Sequence, residues 1–185
     1  DFCYLAEKNI VPLSRLHILP GTGIGDPSCY DKTIIHQSDR IFDNSNLTVA
    51  YIGRLSVEKG FYRLVAALSY LKSVHPLRKF NFLLVSPLDD LSKVDSQIRL
   101  LLGSIPYSTH PYIDDPSIYY AQTDILVVPS LYREGLSRVC LEASVLGIPI
   151  VGFRNRGITP LVLQGVTGCL TNSVSVYALA QSISN

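Results

Sequence analysis

The chain has 185 residues, of which 47% are hydrophobic and only 17% are charged, and its net charge is +1. This length is that of one ordinary domain, and a charged fraction below the roughly 25% of typical soluble domains predicts that a partner subunit or a neighbouring domain covers part of the surface. The near-zero net charge and the lack of any apolar run close to ~20 residues argue against a nucleic-acid-binding protein and against a membrane-spanning one.

The cysteines and histidines are dispersed in the sequence. There are 4 of each, and none has the paired spacing of zinc sites or redox motifs, so we expect no metal site. Such a chain fits a reducing, cytoplasmic environment. Because the sequence begins at Asp1 and contains no methionine, we also expect it to be a piece of a longer protein.

Strand-like and helix-like segments alternate from the start of the chain. A helical turn, DFCYLAEK, precedes a short strand, RLHILP, and a polar stretch leads from there to the apolar strand LTVAYIG. Apolar residues at helical spacing predict a helix after Gly60, and FNFLLVS is the next buried strand. Residues 91–102 predict a further helix, with Leu91 and Leu101 on its apolar face, before a loop rich in Tyr and Pro.

The second half of the chain continues the alternation. A short helix near residues 116–122 leads to the strand DILVVPS, and a helix then ends at Gly147, where glycine is the usual cap residue. PIVGF predicts a strand, TPLVLQG a helix, GCL a short strand and SVSVYALAQSI the last helix. Uniformly apolar strands joined by helices predict a doubly wound, mostly parallel α/β sheet of Rossmann-like form, whose ligands bind at the carboxyl ends of the strands.

The loop YIGRLSVEKGF is the first candidate anion site. Gly53 and Gly60 permit close backbone approach, Arg54 and Lys59 can neutralise a phosphate, and the following helix N-terminus offers amide groups. The alternative is a surface turn that carries two solvated charges, and these residues by themselves favour that alternative.

The loop PSLYREGLSR is the second candidate. Ser137 can cap the next helix, so that amides from Gly135 to Arg138 are available to an anion. Glu134 precedes the helix, whereas Glu142 lies inside it, in an apolar run where a carboxylate is costly unless something binds it.

The spacing of the two acids limits the chemistry that they can perform together. In a helix they would be about 12 Å apart, beyond the roughly 5 to 9.5 Å of glycosidase carboxylate pairs. An elongated ligand with hydroxyl groups at both ends and an anionic centre fits better, as in a nucleotide-sugar. The equally weighted alternative makes Glu134 a first-turn dipole residue and Glu142 a helix-surface acid.

The loop PGTGIGDPS does not complete a dinucleotide fingerprint. Asp26 stands where the third glycine is required, and no helix follows at once. A redox Rossmann protein is therefore not expected.

Four segments, in this order and spacing, resemble the carboxy-terminal half of retaining family 4 glycosyltransferases of the GT-B fold: YIGRLSVEKGFYRLVAAL, DILVVPS, REGLSRVCLEASVLGIPIV and GVTGCL. LAEKNIVPLSRLHILPGTGI is similar to the end of the preceding domain and the crossover that follows it. The resemblance thus implies that residues 1–45 are the end of that domain with the crossover segment, and that residues 46–185 are the nucleotide-sugar donor-binding domain.

The resemblance also implies roles for particular residues. Arg54 and Lys59 would hold the donor diphosphate, Glu134 would meet the hydroxyls of the transferred sugar and Glu142 those of the ribose. Arg54, Lys59 and Glu134 are thereby the candidate catalytic residues. The remaining donor-binding candidates are the backbone groups of Gly53, Gly135, Leu136 and Ser137.

The base is expected near Tyr107–Tyr112, where no residue is diagnostic. Two turns depart from the pattern of the family. Ser86-Pro87 replaces a glycine-rich turn, and residues 154–156 occupy a turn that the family often fills with small residues.

The activity implied is transfer of a sugar, with retention, from a nucleotide-diphosphate-sugar to a glycan or lipid-linked acceptor, that of a hexosyltransferase. We expect a UDP-sugar as donor, no cofactor or metal, and no transfer without the amino-terminal acceptor domain. The full protein would be cytoplasmic and peripheral at the inner membrane leaflet, by family analogy alone. The alternatives are a non-catalytic nucleotide-sugar-binding module and a sugar-nucleotide epimerase or phosphorylase of similar fold.

Overall fold

The computed structural model describes residues 7–8, 14, 23, 41–42, 45–92, 96–103, 105–132 and 135–185. The predicted strand RLHILP and most of the predicted crossover segment 1–45 lie outside these residues, and so does Glu134.

The described residues form one sheet of six strands, all pairs of which are parallel. The strand order is β3-β2-β1-β4-β5-β6. Strands β1 to β3 thus form one half of the sheet and strands β4 to β6 the other, and the two halves meet where β1 pairs with β4. The predicted doubly wound, Rossmann-like sheet is therefore confirmed. The strands are β1 (Leu47–Ile52), β2 (Phe80–Ser86), β3 (Tyr107–Pro111), β4 (Ile125–Val128), β5 (Ile150–Phe153) and β6 (Gly168–Thr171).

Helices cover both faces of this sheet. Those described are α1 (Phe61–Val74), α2 (Leu88–Leu91), α3 (Ser96–Leu102), α4 (Ser117–Tyr120), α5 (Arg138–Val145) and α6 (Val176–Ser184), with a 3-10 helix at Thr159–Leu161. The apolar faces of α1 and α6 pack on one side, where Phe61 and Leu179 are fully buried. Helices α4 and α5 pack on the other side, where Tyr120 and Cys140 are fully buried.

Three predicted elements differ from the structure. The loop rich in Tyr and Pro contains strand β3. Within the described part of the chain this strand pairs with β2 alone, and an edge strand needs no continuous apolar run. Residues 91–102 are not one helix, since α2 ends at Leu91 and α3 begins at Ser96, and the buried residue is Leu102 rather than Leu101. TPLVLQG makes only a 3-10 turn, because Gln164 bridges to Gly168 instead of continuing a helix.

Candidate functional site

The switch point of the sheet lies between β1 and β4. The chain runs from β1 to β2 on one side and returns to β4 on the other, so the loops that follow β1 and β4 diverge there. In doubly wound sheets this divergence opens a crevice at the carboxyl ends of the strands, where ligands bind. The two loops that follow β1 and β4, residues 53–60 and residues 129–137, contain the predicted site residues except Glu142, which lies on α5.

These two loops contact each other through backbone and side-chain groups. Gly60 has a φ of 74°, and a Cβ on it would lie 1.9 Å from the carbonyl oxygen of Pro129, so only glycine fits. The Leu131 amide donates to the Glu58 carbonyl at 2.8 Å. The Lys59 Nζ lies 6.0 Å from the ring centroid of Tyr132, which draws this cation towards the loop that follows β4. The close approach that Gly60 permits is thus one between two protein loops.

The backbone of Arg54 is fixed, while its side chain is exposed. The Tyr51 hydroxyl donates to the Arg54 carbonyl at 2.5 Å, and the Gly53 amide donates to the Val85 carbonyl at 2.9 Å. The Arg54 side chain is 74% exposed, with its Nε 3.7 Å from Asp90 Oδ2. A loose, exposed pair of this kind contributes little to stability, and the guanidinium follows the carboxyl end of β1, where a ligand would bind.

Glu142 is buried on α5, with its side chain 5% exposed. Its Oε1 accepts a hydrogen bond from Arg138 Nε at 2.8 Å, and its Oε2 accepts one from the Tyr120 hydroxyl at 2.6 Å. The alternative interpretation of Glu142 as a helix-surface acid is therefore wrong. The sequence predicted that a carboxylate in this apolar run needs a partner, and the side chains of Arg138 and Tyr120 are partners within the protein.

The phenol of Tyr112 responds to the charge of this carboxylate. Partial burial raises the pKa of its phenol, the negative charge of Glu142 raises it further, and the positive charge of Arg138 opposes that effect. These influences place the Tyr112 ring within electrostatic range of both side chains. Its amide donates to the Ser86 carbonyl at 3.2 Å, which holds the segment after β3 against the end of β2. The part of Tyr107–Tyr112 that lies near Glu142 is thus its last residue.

The N-terminus of α5 differs in one respect from the prediction. Ser137 occupies the N-cap position with an extended backbone, but among the described residues its hydroxyl makes no capping hydrogen bond. Its amide donates to the Gly157 carbonyl at 3.0 Å, so this amide is already used within the protein. The predicted side-chain cap is therefore wrong, and Gly135 and Leu136 are the described residues of the loop whose amides stay candidates for an anion.

Asn155 is a site residue whose role the sequence did not reveal. Its Nδ2 donates to the Ser130 carbonyl at 2.9 Å, and its Oδ1 accepts from the amides of Gly157 at 3.0 Å and Ile158 at 3.2 Å. With the bond from Ser137 to Gly157, the loop after β5 holds the loop after β4 near both of its ends. The available signal was an asparagine two residues before a glycine, which is typical of a side chain that bonds to its own turn.

Among the described residues, no helix is both long enough and apolar enough to cross a membrane.

Residues 46–185 match the family described as Glycosyl transferases group 1. The chain is 26% identical over 143 residues to the capsular polysaccharide biosynthesis glycosyltransferase CapM of Staphylococcus aureus, which covers 76% of this chain and 36% of that protein.

Two solved structures show the same fold. A glycosyltransferase from Rickettsia africae matches with a TM-score of 0.79 at 18% identity, over 98% of this chain and 49% of that one. HepE of Anabaena in complex with UDP-glucose matches with a TM-score of 0.70 at 26% identity, over 88% of this chain and 45% of that one. The chain thus spans about half the length, or less, of these relatives.

Proposed function

The chain belongs to the glycosyl transferases group 1 family, and on that premise we propose that it is the donor-binding half of a retaining glycosyltransferase of the GT-B fold. One observation carries the proposal. The loop after β1, which contains Arg54 and Lys59, contacts the loop after β4 at Gly60 and Pro129, and the loop after β4 leads into the helix that carries the buried Glu142. A nucleotide-sugar has a matching order of groups, with a diphosphate between two hydroxyl-bearing rings.

The donor lies along the crevice in this proposal. Arg54, Lys59 and the amides of Gly135 and Leu136 hold the diphosphate, because cations and helix-terminal amides both favour anions. Glu142 accepts hydrogen bonds from the ribose hydroxyls, with the base near Tyr112. Glu134 receives the hydroxyls of the transferred sugar, an assignment that rests on the resemblance and on its position in the sequence.

The chemical contribution of this half is to stabilise the leaving group. Breaking the bond between sugar and phosphate adds negative charge to the diphosphate and positive character to the sugar ring. Arg54 and Lys59 neutralise the developing phosphate charge, and they act most strongly when the charge is greatest, in the transition state. We propose that these cations suffice without a metal, so that EDTA should leave the rate of transfer unchanged.

The donor and acceptor are proposed from the relatives. UDP-glucose in complex with HepE supports a UDP-sugar, and the name of CapM supports a role in polysaccharide biosynthesis. The acceptor in this proposal is a glycan or a lipid-linked molecule. The acceptor site belongs to the amino-terminal half of such enzymes. A cytoplasmic location of the full protein, at the inner membrane leaflet, rests on analogy with the family.

Ligand binding and transfer test different parts of this proposal. Calorimetry of the 185-residue chain with UDP, GDP and ADP should show weak binding of one of them, and UDP is the one expected. The chain alone should transfer no sugar, whereas the protein that includes its amino-terminal half should. A full protein that binds a UDP-sugar but transfers nothing is the outcome expected of a non-catalytic binding module. Conversion of the UDP-sugar without an acceptor would indicate the epimerase.

A further inference from the structure

The hydrogen bonds that Arg138 and Tyr120 donate to Glu142 differ in how firmly they orient it. Arg138 lies one turn earlier on the same helix and its side chain is 67% exposed, so its long side chain can move with the solvent. Tyr120 comes from α4 and is fully buried in the core beside Cys140 and Ala143. Close packing on all sides holds the Tyr120 ring in one position. Its hydroxyl lies 2.6 Å from Glu142 Oε2 and therefore fixes the position of this oxygen.

The Tyr120 hydroxyl is a permanent donor. Burial raises its pKa, and the hydrogen bond to Glu142 and the negative charge of this carboxylate raise it further. The hydroxyl therefore stays protonated throughout the physiological range, where it donates to the carboxylate. A carboxylate has about four acceptor positions, so it can accept hydrogen bonds in addition to the one from Tyr120.

Stability alone does not explain this arrangement. A buried ion pair is often no more stabilising than apolar side chains of the same volume, so the pair of Arg138 and Glu142 does not by itself account for a buried carboxylate on α5. Helix α5 follows β4, one of the two strands at the switch point, and the charge of Glu142 acts on Tyr112, whose amide is bonded to the Ser86 carbonyl at the carboxyl end of β2. An oriented acid in that place suits hydrogen bonds to a ligand whose hydroxyls must meet it at fixed angles.

We propose that Tyr120 is a positioning residue, which holds Glu142 in the orientation that receives the ribose hydroxyls of the donor. This inference rests on the proposed function and adds to it a residue from a different helix. The Tyr120 hydroxyl acts through Glu142 and not on the ligand. Its removal should therefore weaken those contacts that the ribose makes, and spare those of the diphosphate and the base.

The test compares UDP with 2′-deoxy-UDP, which lacks one of the vicinal hydroxyls. Calorimetry should show that the wild-type chain binds UDP about tenfold more tightly than 2′-deoxy-UDP, as expected for a hydrogen bond to a charged acceptor. Tyr120→Phe keeps the ring and should reduce this preference to about twofold, with the affinity for 2′-deoxy-UDP little changed. Glu142→Gln should reduce the preference at least as much.

Tyr119→Phe is the matched control. Tyr119 is the neighbouring buried residue on α4, and its hydroxyl donates to the Pro111 carbonyl at 3.1 Å instead of to Glu142. This variant should keep the full preference for UDP.

The outcomes separate the inference from the proposed function. If Glu142→Gln loses the preference while Tyr120→Phe keeps it, the ribose assignment stands and the role of Tyr120 is overturned. If Tyr120→Phe weakens the binding of UDP and of 2′-deoxy-UDP by the same factor, the hydroxyl stabilises the site as a whole. That result also overturns the inference. A wild-type chain with no preference for UDP would overturn the ribose assignment of Glu142, and the role of Tyr120 with it.

Discussion

Replacing Arg54 by alanine separates ligand binding from stability. Without ligand, the change removes an exposed pair in which Nε lies 3.7 Å from Asp90 Oδ2, and such a pair contributes about 0 to 1 kcal/mol. For a chain of this size, 1 kcal/mol corresponds to about 2 to 4 °C in melting temperature. The unliganded Arg54→Ala chain should therefore melt within about 4 °C of wild type.

The expected effect on the liganded protein is larger. A hydrogen bond to a charged group contributes about 1.5 to 3 kcal/mol, so that loss of the guanidinium should weaken UDP binding by about tenfold or more. At a UDP concentration 100 times the wild-type dissociation constant, binding stabilises the wild type by about 2.7 kcal/mol. A tenfold weaker variant gains only about 1.4 kcal/mol at the same concentration, so the thermal shift caused by UDP should be about half as large.

Thermal unfolding with and without UDP measures both quantities in one experiment. Arg78→Ala is the matched control, because this exposed guanidinium precedes β2, at the amino ends of the strands, and bonds to Ser184 there. It should leave the shift caused by UDP unchanged. The wild-type advantage over Arg54→Ala should shrink at high salt, since screening weakens the phosphate contact. A Lys59→Ala, Arg54→Ala double variant that binds UDP as tightly as wild type at low salt would refute the assignment of these cations to the diphosphate.

Two further predictions concern the ends and the support of the site. Glu142→Ala should weaken the binding of UDP and of UDP-glucose by similar factors, about tenfold, because both ligands contain the ribose. Glu134→Ala should leave the affinity for UDP unchanged and reduce only the additional affinity that the glucose provides. If calorimetry showed that both variants lose the same affinity for UDP, this assignment of the two ends would be contradicted. Asn155→Ala removes the hydrogen bond to Ser130, so it should lower the free energy of unfolding in urea by about 1 to 3 kcal/mol and weaken UDP binding. The control variant, Asn172→Ala at an exposed position, should change neither quantity. An unchanged affinity of Asn155→Ala for UDP would show that the loop after β4 does not need this support.

The sequence predicted the central strands better than the periphery. The runs LTVAYIG and FNFLLVS are buried on both faces, so their composition alone indicates strands. Strand β3 has the sequence YSTHP and is only partly buried at the edge of the sheet, where pairing with β2 decides its conformation. No local pattern carries this information, because the partner strand lies elsewhere in the chain.

The site shows the same division. The position of Glu142 in an apolar run indicated a bound carboxylate, and Arg138, four residues earlier, is a partner that helical spacing alone could have identified. Tyr120 and Asn155 could not be recognised in this way. Each belongs to a different element from the group that it holds, and only the folded sheet brings the two together.

The contact between Gly60 and Pro129 has a consequence for protein engineering. A chimera that receives the loop after β4 from a relative, in order to change its donor sugar, also receives a new backbone path against Gly60. The turn at residues 57–60 has to be exchanged together with that loop, since the carbonyl of Glu58 and the amide of Leu131 are partners. The two segments therefore form one unit for exchange, and a recombination point between them would separate backbone groups that contact each other.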